Sequence, residues 1–279
     1  MMIVADLHVH TTASDGLLTP EEVVRLARQK HLQAIAVCDH DTTGGVEAAL
    51  MAGKKYGLAV CPGIEFSTEY GEKEIHILGY GFDYKCGKLQ ALCRKISAGR
   101  SARMEKMVQK LRQLGFGIGM DDVLRQARDA APSRPHVARA LVEKGYFPAV
   151  KDVFAELLEP GKPAYVKRYK LTPQEAITVL SEAGGIAVWA HPGLVSDDSL
   201  LSLFLAWGLR GLEAYHPDHS AEAEAHYLHL AGRYNLLVTG GSDYHGKEAG
   251  ATRTLGAKGL QAGEFAAFAG ALGNFHLYT

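Results

Sequence analysis

Short apolar runs that carry, or lead directly into, a histidine, aspartate or glutamate recur along this 279-residue chain. That recurrence restricts the folds open to it. Seven runs read as strands: residues 3–5, 34–38, 58–61, 75–80, 186–189, 209–215 and 236–239. The ligand-type residues attached to almost all of them are His8 and His10, His40, Glu65, His76, His191, and Asp243 with His245. Between most of the runs lie helical patterns. Thr19-Pro20-Glu21-Glu22 and Leu171-Thr172-Pro173-Gln174-Glu175 are helix starts, with a threonine cap, proline at the first helical position and acids in the first turn. Strands joined by helices imply a parallel sheet, and seven of them suggest closure into an α/β barrel. In such a barrel the C-terminal ends of all strands meet at one rim, so residues far apart in sequence converge there.

The opening stretch, Asp6-Leu7-His8-Val9-His10-Thr11-Thr12-Ala13-Ser14-Asp15-Gly16, shows the chemistry. Strand side chains alternate faces, so His8 and His10 point the same way and can chelate one divalent ion. Asp15 follows a polar turn and can reach a second. An isolated His-x-His reads as an ordinary pair of histidines at a strand end. Here the later strand ends override that reading. Nine imidazole and carboxylate groups exceed the three or so protein ligands of one catalytic ion, which suggests three ions.

The rhythm breaks between about residues 87 and 163, where strand signal fades. Helical periodicity dominates at 89–114, 120–130, 137–144 and 150–158. We read this as an all-helical insertion over one end of a barrel formed by residues 1–86 and 164–279. It is rich in bases, including Arg94, Lys95, Arg100, Arg103, Lys106, Arg134 and Arg139. Elsewhere composition mainly excludes. The net charge of −1 gives no global field for nucleic acid or membrane, so anion binding must be local. No apolar run approaches 18 residues and the N-terminus has no signal-peptide pattern, which predicts a soluble cytoplasmic protein. Cys38, Cys61, Cys86 and Cys93 lack Cys-x-x-Cys spacing, and the first two read as buried thiols. Nothing marks a stable protein partner, and a monomer is expected.

The segments His8-Val9-His10, Cys38-Asp39-His40, Gly63-Ile64-Glu65, Glu74-Ile75-His76, Ala190-His191-Pro192 and Gly241-Ser242-Asp243-Tyr244-His245 resemble the PHP (polymerase and histidinol phosphatase) family. The resemblance brackets the helical stretch. It implies a distorted (β/α)7 barrel with a trinuclear metal centre and metal-dependent phosphoester hydrolysis. Carried over by position, His8, His10, Glu65 and Asp243 would hold one ion. Asp15, His40 and His245 would hold a second, and Glu65, His76 and His191 a third. The nucleophile would be a metal-bridging hydroxide held by Glu65, Asp243 and His191. Three divalent ions, less three carboxylates and a hydroxide, leave roughly +2 to attract a phosphate. Mn²⁺, Fe²⁺ and Zn²⁺ all suit imidazole and carboxylate ligands. Asp39 and Asp41 flank a ligand histidine and read equally as its orienters or as turn residues.

Ser133-Arg134-Pro135-His136 resembles an Arg-x-His segment in the insertion of PHP phosphoesterases acting on nucleotides, including 3′,5′-bisphosphate nucleotide phosphatases and 5′-to-3′ exonucleases. Ser133 would cap a helix, and Arg134 would lie at its start, where an anion is favoured. Arg100 and Arg103, one turn apart, could join that phosphate site. His216 and His219, in the loop after the sixth run, are assigned to substrate binding or proton donation. The expected function is hydrolysis of phosphate from small nucleotides or trimming of short oligonucleotides. A histidinol-phosphate phosphatase is the near alternative, and a non-catalytic metal-binding PHP module the distant one.

Overall fold

Both helix starts read from the sequence are capping boxes. Thr19 Oγ1 accepts from the Glu22 N–H, and the Glu22 carboxylate accepts from the Thr19 N–H at 2.8 Å. Thr172 and Glu175 repeat the arrangement. These caps open two of the helices that pack around a seven-stranded sheet. The computed structural model describes residues 2–127, 132–167, 171–246 and 253–273. They divide into two compact units, Met1–Cys93 with Leu171–Thr279, and Arg94–Lys170. The limits of the second lie seven residues beyond the 87 and 163 expected from the sequence.

In the first unit the strands run β1 (Ala5–Val9), β2 (Ala34–Val37), β3 (Ala59–Tyr70), β4 (Lys73–Tyr80), β5 (Ile186–Trp189), β6 (Gly211–Tyr215) and β7 (Leu237–Gly240), neighbouring one another in chain order. Isolated bridges from Val9 to Tyr244 and from Ala5 to Leu260 nearly close the sheet into a barrel. The helices are α1 (Pro20–Gln29), α2 (Val46–Tyr56), α7 (Pro173–Glu182), α8 (Ser199–Ala206), α9 (Ala221–Arg233) and α10 (Ala262–Ala271).

One sequence expectation needs correction. The sheet is mixed, because β4 pairs antiparallel with both β3 and β5. β3 and β4 are the arms of a hairpin, closed by the two residues between the Tyr70–Lys73 pair. Gly71, at the first of these positions, has φ +63°. Too few residues separate the arms for a helical crossover, so the chain must turn back on itself. His76, near the start of β4, is thereby carried to the rim where the parallel strands end.

Alternation along β2 divides two cores. Ala34, Ala36 and Cys38 face a cluster with Leu7, Cys61, Tyr80 and Val188, contributed by strands all round the barrel. Ile35 and Val37 pack with Val23, Ala27 and Ala49 of α1 and α2. Many interior residues are small, as a narrow barrel requires. Cys38 and Cys61 are buried free thiols.

The helical stretch comprises α3 (Gly87–Gln113), α4 (Met120–Ala127), α5 (Arg134–Glu143) and α6 (Val150–Val153), which continues as a π-helical turn, Phe154–Leu158. Part of the helix expected at 120–130 lies outside the described residues. The second unit has its own core of Met104, Met107, Leu111, Val123, Val137, Leu141, Val153 and Leu158.

Candidate metal centre

Glu65 stands at the middle of the site, buried in β3. Its Oε2 lies 3.3 Å from His8 Nε2, 3.4 Å from His10 Nε2 and 3.0 Å from His40 Nδ1. Its Oε1 lies 2.8 Å from His76 Nδ1 and 3.1 Å from His191 Nε2. One carboxylate thus faces five imidazoles. Asp243 Oδ1 adds a second focus, 3.1 Å from His10 Nε2, 3.5 Å from His245 Nδ1 and 3.6 Å from His8 Nε2. Asp15, 40 % exposed on the first loop, lies 3.4 Å from His245 Nε2, 3.9 Å from His10 Nδ1 and 4.0 Å from His40 Nε2.

The backbone places these groups at some cost. His40 comes to Glu65 through a bridge in which the Asp41 N–H donates to the Glu65 carbonyl. His191 has φ +28° and Asp243 has φ +48°, conformations that cost non-glycine residues about 1–3 kcal/mol each. Neighbours hold both. The Glu213 carboxylate accepts the His191 N–H at 2.8 Å. Buried Asp6 accepts the Ser242 N–H and Oγ–H, the Gly256 N–H and the His8 N–H, tying β1 to the loop that carries Asp243. Gly241 passes so close to β1 that a Cβ there would lie 2.3 Å from His8 Cβ. Asp39 bonds no histidine. It accepts from Thr11 N–H, Thr11 Oγ1 and Ser14 Oγ, and so shapes the loop bearing Asp15. Asp41 accepts the Ser67 N–H.

Charges are strongly coupled. Burial works to raise the Glu65 carboxyl, but His40, His76 and His8 hold it well below the usual carboxylate range. Burial opposes protonation of His76, yet Glu65 and Glu74 carry it to about 10. His245 reaches about 9 against the same penalty, through Asp15 and Asp243. His10, His40 and His191 are pushed down, first by burial.

These groups suit cations. Among the described residues, ten buried side-chain nitrogens and oxygens lack a hydrogen-bond partner. Seven of them cluster here: His8 Nε2, both nitrogens of His10, His40 Nδ1, Glu65 Oε2, His191 Nδ1 and His216 Nε2. An orphaned buried polar atom costs about 1–3 kcal/mol, so such a concentration favours ligands that satisfy several at once. Among the described residues, sets compact enough to share one ion are His10, Asp15, His40 and His245; His8, His10 and Asp243; His40, Glu65 and His76; and His8, Glu213 and His216. They partition the ligands differently from the positional assignment, with His8, His10 and His40 each belonging to two sets and His191 to none.

Comparison with known proteins bears on this geometry. A family model, the PHP domain, matches residues 6–159. The chain belongs to the PHP family. Similar PHP-type relatives include a phosphoribosyl 1,2-cyclic phosphate 1,2-diphosphodiesterase of Eggerthella lenta, 36 % identical over 88 % of this chain and 95 % of the relative. A 3′,5′-nucleoside bisphosphate phosphatase of Chromobacterium violaceum is 34 % identical over 90 % and 92 %. The 5′-3′ exoribonuclease Rnm of Salmonella typhimurium is 35 % identical over 87 % and 85 %. Among solved structures, a candidate metal-dependent phosphoesterase from Bifidobacterium adolescentis superposes with TM-score 0.84 at 33 % identity, covering 94 % of each chain.

The PHP assignment leaves the expected substrate residues to be placed. Ser133 is the N-cap of α5, and its N–H donates to His136 Nδ1 at 3.1 Å, so the two close a capping box. The Arg134 guanidinium lies 5.7 Å over the Phe154 ring. Arg103 Nε donates to the Val166 carbonyl at 2.7 Å, and Arg100 is half-buried one turn earlier on α3. His219 has both ring nitrogens engaged by backbone, Nδ1 at the Ala214 carbonyl (2.8 Å) and Nε2 accepting from the Gly193 N–H (3.1 Å). It is a brace for the loop after His191 and has no nitrogen left for substrate, which corrects its expected role. Buried His216 does reach the centre, with Nε2 3.6 Å from Asp243 Oδ2. The Arg253 guanidinium pairs with that same oxygen and with Asp218. Sequence reading passed over Glu213, Asp6 and Arg253. The signal for the first two was a lone carboxylate inside an apolar strand. Among the described residues no helix is long and apolar enough to cross a membrane.

Proposed function

We propose that this chain is a metal-dependent phosphoesterase that hydrolyses phosphate esters carried on a ribose, in small nucleotides such as 3′,5′-bisphosphates or in short oligonucleotides. The observation that supports it most is Glu65, one buried carboxylate facing five imidazoles with Asp243 and Asp15 beside them. Groups of this kind hold divalent ions, and three ions shared among the nine residues is the reading we favour. The three relatives are named for different activities, on a phosphoribosyl cyclic phosphate, a nucleoside bisphosphate and RNA, and each of these is a phosphate ester on a sugar.

In this reading His8, His10, Glu65 and Asp243, then Asp15, His40 and His245, then Glu65, His76 and His191 hold the ions. When bound, divalent ions supply Lewis acidity toward phosphoryl oxygens and lower the pKa of water. The chain's own residues fix the geometry. Glu65 joins two of the sets. Asp6 and Glu213 keep the strained ligands Asp243 and His191 in place. Arg134, with Ser133, His136, Arg100 and Arg103, recognises a phosphate other than the one cleaved. The protein works in the cytoplasm.

A phosphate-release screen with Mn²⁺ tests this. The substrates are a 3′,5′-bisphosphate nucleotide, a nucleoside monophosphate, a short RNA, a phosphoribosyl cyclic phosphate and histidinol phosphate. Turnover of one or more ribose-borne esters, well above histidinol phosphate, is expected. Turnover of histidinol phosphate alone would overturn the proposal.

A further inference from the structure

Glu213 on β6 is not one of the nine assigned ligands, although it groups compactly with His8 and His216; it is fully buried and shares each of its oxygens with an assigned ligand. Its Oε1 lies 2.9 Å from His8 Nδ1 and its Oε2 accepts the His191 backbone N–H at 2.8 Å. We propose that Glu213 is a positioning residue that fixes the tautomer of His8, and thereby decides which ring nitrogen is free to bind an ion. The proposal rests on the reading of His8 as a metal ligand.

The argument is one of donors and acceptors. A backbone N–H only donates, and an ionised carboxylate only accepts. Glu213 therefore accepts from both sides, so a His8 that gives up one proton to bind an ion keeps the other on Nδ1. The lone pair is then on Nε2. That nitrogen points at Glu65 Oε2 and Asp243 Oδ1, 3.3 and 3.6 Å away, and is buried without a hydrogen-bond partner. A carboxylate that orients a ligating imidazole in this way also raises its basicity, and losing such a partner weakens metal binding by about 10–100-fold.

Glu213→Gln separates this role from packing, because the shape hardly changes. The amide has one accepting oxygen, and the His191 N–H requires it. The amide NH₂ is left facing His8 Nδ1, which must now accept. The His8 proton moves to Nε2, and that nitrogen can no longer bind an ion. Glu213→Asp keeps an acceptor-only group and with it the Nδ1–H tautomer.

The test reads tautomer and metal separately. In metal-free protein labelled with ¹⁵N-histidine, and at a pH high enough for the same spectra to show His8 neutral, long-range ¹H–¹⁵N spectra should report Nδ1–H at His8 in the wild type and in Glu213→Asp, and Nε2–H in Glu213→Gln. Mn²⁺ titration calorimetry should show Glu213→Gln binding at least about tenfold more weakly than wild type, with Glu213→Asp recovering most of the loss. The metal-free melting temperature of Glu213→Gln should stay close to that of the wild type. An unchanged tautomer or unchanged affinity in Glu213→Gln would overturn the proposal and leave the metal centre standing. A Glu213→Asp protein impaired as deeply as Glu213→Gln would also overturn it, since the effect would then be packing. If Glu213→Gln did not fold, loss of the Nδ1–H tautomer in Glu213→Asp would overturn it instead. A wild type whose Mn²⁺ binding is unaffected by His8→Ala would overturn the ligand reading on which it rests.

Discussion

Asp243 faces two ways. Its Oδ1 points at His8, His10 and His245, while its Oδ2 meets His216 and Arg253. Asp243→Asn keeps the shape and removes the charge. It is expected to lower kcat by at least about a hundredfold, the upper end of what even an indirect partner of a metal ligand contributes. His8→Ala should do the same, with far-ultraviolet circular dichroism unchanged in both. Near-normal kcat at full metal loading would refute the assignment. Arg134 invites a different comparison. A charge-assisted hydrogen bond contributes about 1.5–3 kcal/mol, and about 1.4 kcal/mol is a factor of ten. Arg134→Ala should therefore cut kcat/KM for a bisphosphate nucleotide at least about tenfold, and for a simple monoester much less. Equal losses would place Arg134 at the scissile phosphate. The nine candidate ligands were legible because a histidine or acid attached to a short apolar run is unusual, and six segments repeated the oddity. Glu213 was not, because a single acid in Gly211-Leu212-Glu213-Ala214-Tyr215 has no partner at a telling spacing. Its partners, His8 and His191, are adjacent only in the folded barrel. His219 misled for the converse reason, since the carbonyl and amide that occupy its ring cannot be foreseen from side-chain type.

Among the elements, β4 was the one whose direction the sequence reading missed. A run of apolar residues has no polarity, and the neighbouring helices argued for a parallel sheet throughout. The signal lay in the loop, where glycine at the first of two positions between paired strands marks a tight hairpin. The limits of the helical unit were blurred for a related reason: α3 runs unbroken from Gly87 to Gln113, so periodicity offers no edge at residue 94. β7 carries a prediction of its own. Its exit passes β1 so closely that a methyl at position 241 would lie 2.3 Å from His8 Cβ and 2.4 Å from His8 N. Neither atom can swing aside as a flexible side chain could. Gly241→Ala is expected to cost about 1–3 kcal/mol in urea unfolding, as overpacking generally does, and to weaken Mn²⁺ binding along with it. Unaltered stability would show that β1 and β7 have more room than this contact implies.

At the scale of the molecule, the buried ligands should make metal content and stability move together. Elemental analysis after loading is expected to find more than one transition-metal ion per chain, and one equivalent or less would rule out the trinuclear reading. A ligand at a hundred times its dissociation constant stabilises the folded state by about 2.7 kcal/mol, which for a barrel of this size corresponds to a rise in Tm of roughly 5–10 °C. A chelator should reverse the rise. The tie between β1 and the loop after β7 also has a consequence in time. His8 and His10 are made at the start of synthesis, and Asp243 and His245 near its end. At about 5–20 residues per second, the ribosome takes on the order of ten to fifty seconds to cross that distance. Throughout that interval the set begun by His8 and His10 lacks Asp243. Of the assigned sets, the one built from Glu65, His76 and His191 is complete first, some fifty residues before the others. Metallation of the whole centre is therefore a late event in the life of each new chain, and a cell short of metal would first accumulate barrels that are fully translated but not yet armed.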